Sequence, residues 1–105
     1  MLDDLVDEAR SASDAVAERA AALGFTPDAR AATIAKESPL AAVADGRVRD
    51  TDVIAHVVAV LTTVIDRTRE RITNLNDVDL VTQDLLIGIV AGLGKARWMF
   101  SAQQA

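Results

Sequence analysis

The sequence predicts an all-α protein of three long helices and a connector carrying a short helix. Two observations predict it. Apolar residues recur at i, i+3, i+4 spacing in three separate segments, near residues 2–23, 50–74 and 80–102. Capping and breaking residues stand between those segments, among them Gly24, Pro27, Asp50, Thr51 and Asp79.

The first helix is expected from Leu2 to Leu23. Leu2, Leu5, Val6, Ala9, Ala12, Val16, Ala17, Ala20 and Leu23 share one face. Asp3 and Asp4 suit the positive end of the helix dipole. Gly24 can supply a left-handed residue after the helix, and Pro27 prevents continuation. Residues 25–49 read as the connector. A short helix is expected over Ala31–Lys36, with Pro39 driving Ser38 out of helical dihedrals. Ala41, Ala42 and Val43 suggest one more turn before the Asp45-Gly46 turn signal.

The second long helix is expected over Asp50–Asn74, capped by Asp50 or Thr51. Its stripe is Val53, Ile54, Val57, Val60, Leu61, Val64, Ile65, Thr68 and Ile72. The β-branched centre, His56 to Val64, also suits a strand, but over 20 residues of helical period outweigh that. The third long helix is expected over Leu80–Ala102, with Asp79 as N-cap and Leu85, Leu86, Ile89, Val90, Leu93 and Ala96 continuing the helical pattern. Gly88, Gly92 and Gly94 each cost roughly 1 kcal/mol relative to alanine in an exposed helix. They suggest a close helix–helix approach. No Lys-Ser/Thr pair follows them, so a phosphate loop does not fit.

Composition fits one small domain spanning residues 1–105, with half the residues apolar. The aromatics are Phe25, Trp98 and Phe100, and cysteine is absent, which excludes disulfides and thiolate chemistry. No apolar run approaches the ~20 residues of a membrane span. The acidic start, Met1-Leu2-Asp3-Asp4, lacks a signal peptide's positive region, so a cytoplasmic protein is expected. The net charge of −5 opposes binding to a phosphate backbone. Arg67, Arg69 and Arg71 alternate with Asp66 and Glu70, as a solvated mixed-charge segment does.

The first helix carries an acidic stripe. Asp3, Asp7, Arg10, Asp14 and Glu18 fall within about 80° of arc, and Asp14 and Glu18 stand one turn apart. A solvated face is the commoner meaning of such spacing. A hard-cation site is the sharper one.

The chain also resembles a known family. Asp14-Ala15-Val16-Ala17-Glu18-Arg19, followed by Leu23-Gly24-Phe25-Thr26-Pro27, resembles the second long helix of Dps-type mini-ferritins, whose pattern is D-E-hydrophobic-A-E-R-x-x-x-L-G-x-x-P. Asp79-Leu80-Val81-Thr82-Gln83-Asp84-Leu85-Leu86 resembles the D-x-x-T-x-D-L-L that opens the family's last helix. Trp98 matches an aromatic common in that helix. The resemblance implies a ferritin-like four-helix bundle missing its first helix. A mis-called gene start, a natural short paralogue and a trimmed chain all fit that departure.

The resemblance implies iron as the metal, with ferrous iron oxidised and sequestered and DNA protected from oxidative stress. It assigns metal-binding roles to Asp3 from one subunit and to Asp14 and Glu18 from another. Asp3 and Asp14 are 11 residues apart, about 16 Å along a helix, too far to share one ion within a chain. Two antiparallel first helices would bring them together. The family's two ferroxidase histidines belong to the helix and turn before this segment, so a site of carboxylates alone is expected to hold Fe2+ or Fe3+ weakly. The ferroxidase activity implied by resemblance is therefore expected to be impaired. His56, among apolar neighbours, reads as a structural or surface residue. Asp77, Asp79 and Asp84 match the region from which the family lines an iron-entry pore; helix capping is the plainer reading.

Other catalytic patterns do not fit: there is no cysteine nucleophile and no Gly-x-Ser-x-Gly. The resemblance implies a homo-oligomer, a two-fold dimer at least, with twelve-subunit shells in the family. The lysine-rich tails associated with DNA binding in the family have no counterpart. The alternative is a helical self-association module derived from this fold, without catalysis.

Overall fold

A computed structural model describes residues 1–104. They form four helices, α1 (Leu2–Ala22), α2 (Ala31–Glu37), α3 (Asp50–Asn74) and α4 (Leu80–Ser101), with no strand among the described residues. The chain divides into two compact units, Met1–Pro39 with α1 and α2, and Leu40–Ala105 with α3 and α4.

In the first unit, α1 ends as its sequence dictates. Leu23 is the C-cap and Gly24 follows at φ +94°. The Gly24 N–H donates to the Ala21 carbonyl and the Phe25 N–H to the Ala20 carbonyl, both at 3.0 Å. This is a Schellman closure, and it needs a residue without Cβ at the left-handed position. No residue of α1 is fully buried. Leu2, Val6, Val16 and Leu23 are exposed along the apolar face.

The connector's short helix, α2, begins at a carboxylate clamp. Asp28 accepts hydrogen bonds from the Arg30 backbone N–H (3.0 Å), from Arg30 Nε and Nη2 (3.0 and 2.8 Å) and from Thr33 Oγ1 (2.9 Å). The backbone bond is an Asx-turn, which sets Arg30 in extended dihedrals as N-cap. Ser38 leaves the helix at ψ 128°, as the following Pro39 requires. The extra turn expected at Ala41–Val43 does not form: residues 38–49 contain no helix. Three small apolar residues supply too few hydrogen bonds to offset nucleation of an isolated turn.

The second unit is a helical pair. Leu61, Ile65 and Thr68 of α3 and Leu93 and Phe100 of α4 are buried, and Ile65 is 1% exposed. The β-branched centre of α3 is helical, with the apolar stripe of the helix packed on α4 and its threonine hydroxyls satisfied within the helix. Thr62, Thr63, Thr68 and Thr73 each donate from Oγ1 to the carbonyl four residues earlier, at 2.7 to 3.2 Å. The buried Thr68 hydroxyl therefore leaves no unpaired polar atom. The expected cap at Asp50 or Thr51 is not the one used. Arg49 is the N-cap, without a side-chain bond, and Asp50 and Asp52 sit in the first turn, where their charge suits the dipole.

The α3–α4 turn is fastened at both ends. Asp77 adopts φ 58°, a left-handed conformation that aspartate tolerates. Gln83 Nε2 reaches back to the Ile72 carbonyl (2.9 Å) and to Asn76 Oδ1 (2.6 Å). Gly88 and Gly94 do not serve a close approach within the chain: a Cβ added at either would meet nothing within 4 Å. The helix is apolar on nearly every side, so periodicity alone did not say which face is covered from within.

Candidate metal centre

Asp3, Asp14 and Glu18 all lie on α1, and all three are exposed. Helical geometry puts Asp14 and Glu18 one turn apart, with about 6 Å of rise between them, so both carboxylates can reach one ion. Asp3 lies near the other end of the helix. Among the described residues of a single chain, no three His, Asp or Glu side chains converge as a metal-holding group. Completing a three-carboxylate set around Asp14 and Glu18 therefore needs a donor from another chain. Oxygen donors of this kind suit hard divalent ions and ferric iron.

The second acidic set is divided by its structure. Asp79 caps α4: its carboxylate accepts from the Thr82 N–H at 3.1 Å and from the Thr82 hydroxyl. Asp77 and Asp84 are exposed on either side of it. His56 is half-buried on α3.

A groove of about 500 Å³ opens between α3 and α4. Ile65, Ile72, Ile87 and Val90 line it, with Arg69 and Arg97 at its polar edge. No local pattern announces this groove, because its two walls are about 20 residues apart in the chain. The Asp28 clamp was likewise missed; its signal was Pro-Asp ahead of an alanine-rich run, with Thr33 five residues beyond Asp28.

The model of the ferritin-like domain matches residues 1–105. The chain belongs to the ferritin-like family. Within that family it is similar to the DNA protection during starvation protein of Mycolicibacterium smegmatis, 39% identical over 97% of this chain and 56% of that protein. The chain thus spans just over half the length of the curated relatives it matches. Solved structures agree. Mycobacterium smegmatis Dps1, in a mutant form, superposes with a TM-score of 0.91 at 35% identity, covering 100% of this chain and 70% of that one. The tetragonal form of M. smegmatis Dps gives 0.91 at 36%, covering 97% and 62%. Dps92 of Deinococcus radiodurans gives 0.93 at 31%, covering 96% and 61%. This ferritin-like chain is thus Dps-like in sequence and in helical arrangement, and no helix among its described residues is long and apolar enough to cross a membrane.

Proposed function

We propose that this chain is an iron-handling, Dps-like protein that binds ferrous iron and takes part in DNA protection by sequestering it. The observation that carries the reading is the Asp14–Glu18 pair, exposed one turn apart on α1 of a ferritin-like chain. Asp3 of a second copy would complete the donor set across a two-fold axis between antiparallel first helices. The donors are carboxylates without imidazole, so the site would hold the ion weakly and with little selectivity. Asp77 and Asp84, exposed beside the Asp79 cap, would attract cations to an entry point between subunits. A cytoplasmic homo-oligomer is the setting this function needs. The similarity over residues 1–105 supports treating both compact units as one ferritin-like domain.

Isothermal titration with ferrous ion under argon tests the proposal. The 105-residue chain is expected to bind weakly, and Asp14→Ala and Glu18→Ala are each expected to lose that binding. Equal binding by all three proteins would reduce the stripe to a solvated face. Ferrous oxidation by the chain is expected to run little above the buffer rate, followed by absorbance after admitting air.

A second reading, a helical self-association module without catalysis, is favoured by a specific observation: Leu2, Val6 and Val16 are exposed on α1 and Leu80, Ile87 and Trp98 on α4. Association that persists in Asp14→Ala, with no iron bound by any variant, would select it.

A further inference from the structure

The groove between α3 and α4 sets an apolar floor between two cationic walls. Ile65 and Ile72 of α3 and Ile87 and Val90 of α4 supply aliphatic surface, while Arg69 stands on the α3 wall and Arg97 on the α4 wall. Ile65 is buried, and Ile72, Val90 and Arg97 are half-buried. Among the described residues, neither guanidinium has a hydrogen-bond or ion-pair partner. Acids are not scarce: the chain has 16 Asp and Glu against 11 Lys and Arg. Yet two arginines at one cavity stay unpaired. A half-buried guanidinium has lost part of its hydration, and a carboxylate compensates best, because its two oxygens match the planar fork.

The rest of the cavity selects the rest of the ligand. Its volume of about 500 Å³ is that of a small-molecule site. None of the aromatics Phe25, Trp98 and Phe100 lines it, so a planar ring finds nothing to stack on. The isoleucines and valine suit a saturated chain, which can follow an irregular aliphatic floor. From Ile65 to Ile72 that floor spans about 10 Å, the reach of a medium-length alkyl chain but only two turns of a docked helix. Gly94 sits midway on the α4 face that runs from Ile87 to Arg97, and a Cβ there would meet nothing within 4 Å. The missing side chain leaves room for a tail. We propose that this groove binds a free medium-chain carboxylate, its tail on the isoleucine floor and its carboxylate held by Arg69 and Arg97. A second copy of the chain is a poorer occupant, since each copy carries a net charge of −5 and repels another. The site lies wholly on the α3–α4 pair and does not depend on the iron reading.

Isothermal titration of the full 105-residue chain with sodium decanoate, below its micellar concentration, tests the proposal. Butanoate serves as a carboxylate without the tail and 1-decanol as a tail without the charge. One decanoate is expected to bind per chain, butanoate not detectably, and 1-decanol more weakly than decanoate. Arg69→Gln and Arg97→Gln are each expected to weaken decanoate roughly tenfold while leaving 1-decanol unchanged. Gly94→Leu, which fills the groove, is expected to abolish binding of both, with helix content by circular dichroism unchanged. Butanoate bound as tightly as decanoate would overturn the proposal, leaving an anion site without the groove. So would equal decanoate affinity in the arginine variants, or many decanoates adsorbed per chain. Capture by phosphatidylglycerol vesicles without binding of free decanoate would assign the groove to a membrane lipid instead. Decanoate affinity that falls as the chain self-associates would assign it to a second copy. Either result overturns the free carboxylate as the occupant.

Discussion

Asp28 shows how much a single exposed carboxylate can organise. The side-chain hydrogen bond from Arg30, followed by those from the Arg30 backbone N–H and Thr33, holds its pKa at about 2 against the ordinary 3.8. A lowered pKa stabilises the folded form above the unfolded value, and the benefit is lost as pH falls through the folded one. The amides of Ile34 and Ser38, which donate to Arg30 and Ile34 carbonyls within α2, are therefore expected to stay protected down to about pH 4 and to lose protection toward pH 2. Hydrogen exchange by NMR measures this, and Asp28→Ala is expected to expose both amides at every pH. On α1 the balance runs the other way. Like charges at i and i+4 destabilise a helix by about 0.2–0.5 kcal/mol. Glu18→Ala is thus expected to leave thermal stability unchanged or slightly raised while removing metal binding. A loss of several degrees in Tm would mean that Glu18 holds the fold and is not reserved for a ligand.

At the scale of elements, helix ends and glycines decide what each helix tolerates. Asp79→Ala removes the α4 cap and is expected to cost about 1 kcal/mol in urea unfolding. Gly24→Ala puts a Cβ on a residue at φ +94° and is expected to cost about 1 kcal/mol. Gly88→Ala is expected to do the reverse. It sits mid-helix with open space at its Cβ, so at concentrations low enough to keep copies apart it should gain up to about 1 kcal/mol. The three long helices were legible because amphipathic period and punctuation agree over many residues. The start of α3 was less so, because a dipole-favoured first turn and a side-chain cap leave similar acidic signatures around Asp50.

For the whole molecule, the covered interior of the α3–α4 unit is small: Leu61, Ile65, Leu93 and Phe100, with Thr68 among them. Ile65→Ala is expected to cost about 2–5 kcal/mol, a large share of the roughly 5–15 kcal/mol available to a domain this size. Loss of the cooperative thermal transition would confirm that this cluster carries the unit. The negative net charge acts at the same scale. The chain is expected to bind plasmid DNA weakly at physiological salt in a gel-shift with chelator present, since few cations can displace the counterions of the backbone. Tight, salt-sensitive complexes would show a local basic surface stronger than the net charge implies.

The sequence by itself determined the helices, the Gly24 terminus, the Asp79 cap and the ferritin-like, Dps-like character. Each of these depends on neighbours within a few turns or on a motif of contiguous residues. The stripe of Asp14 and Glu18 was legible for the same reason, since a helix fixes the relation of i to i+4. Only the tertiary structure decided which face of apolar α4 is covered from within, that α1 keeps no fully buried residue, and that Gly88 and Gly94 face open space. A hydrophobic period states that a face will leave water. It does not state whether the same chain or another one will cover it.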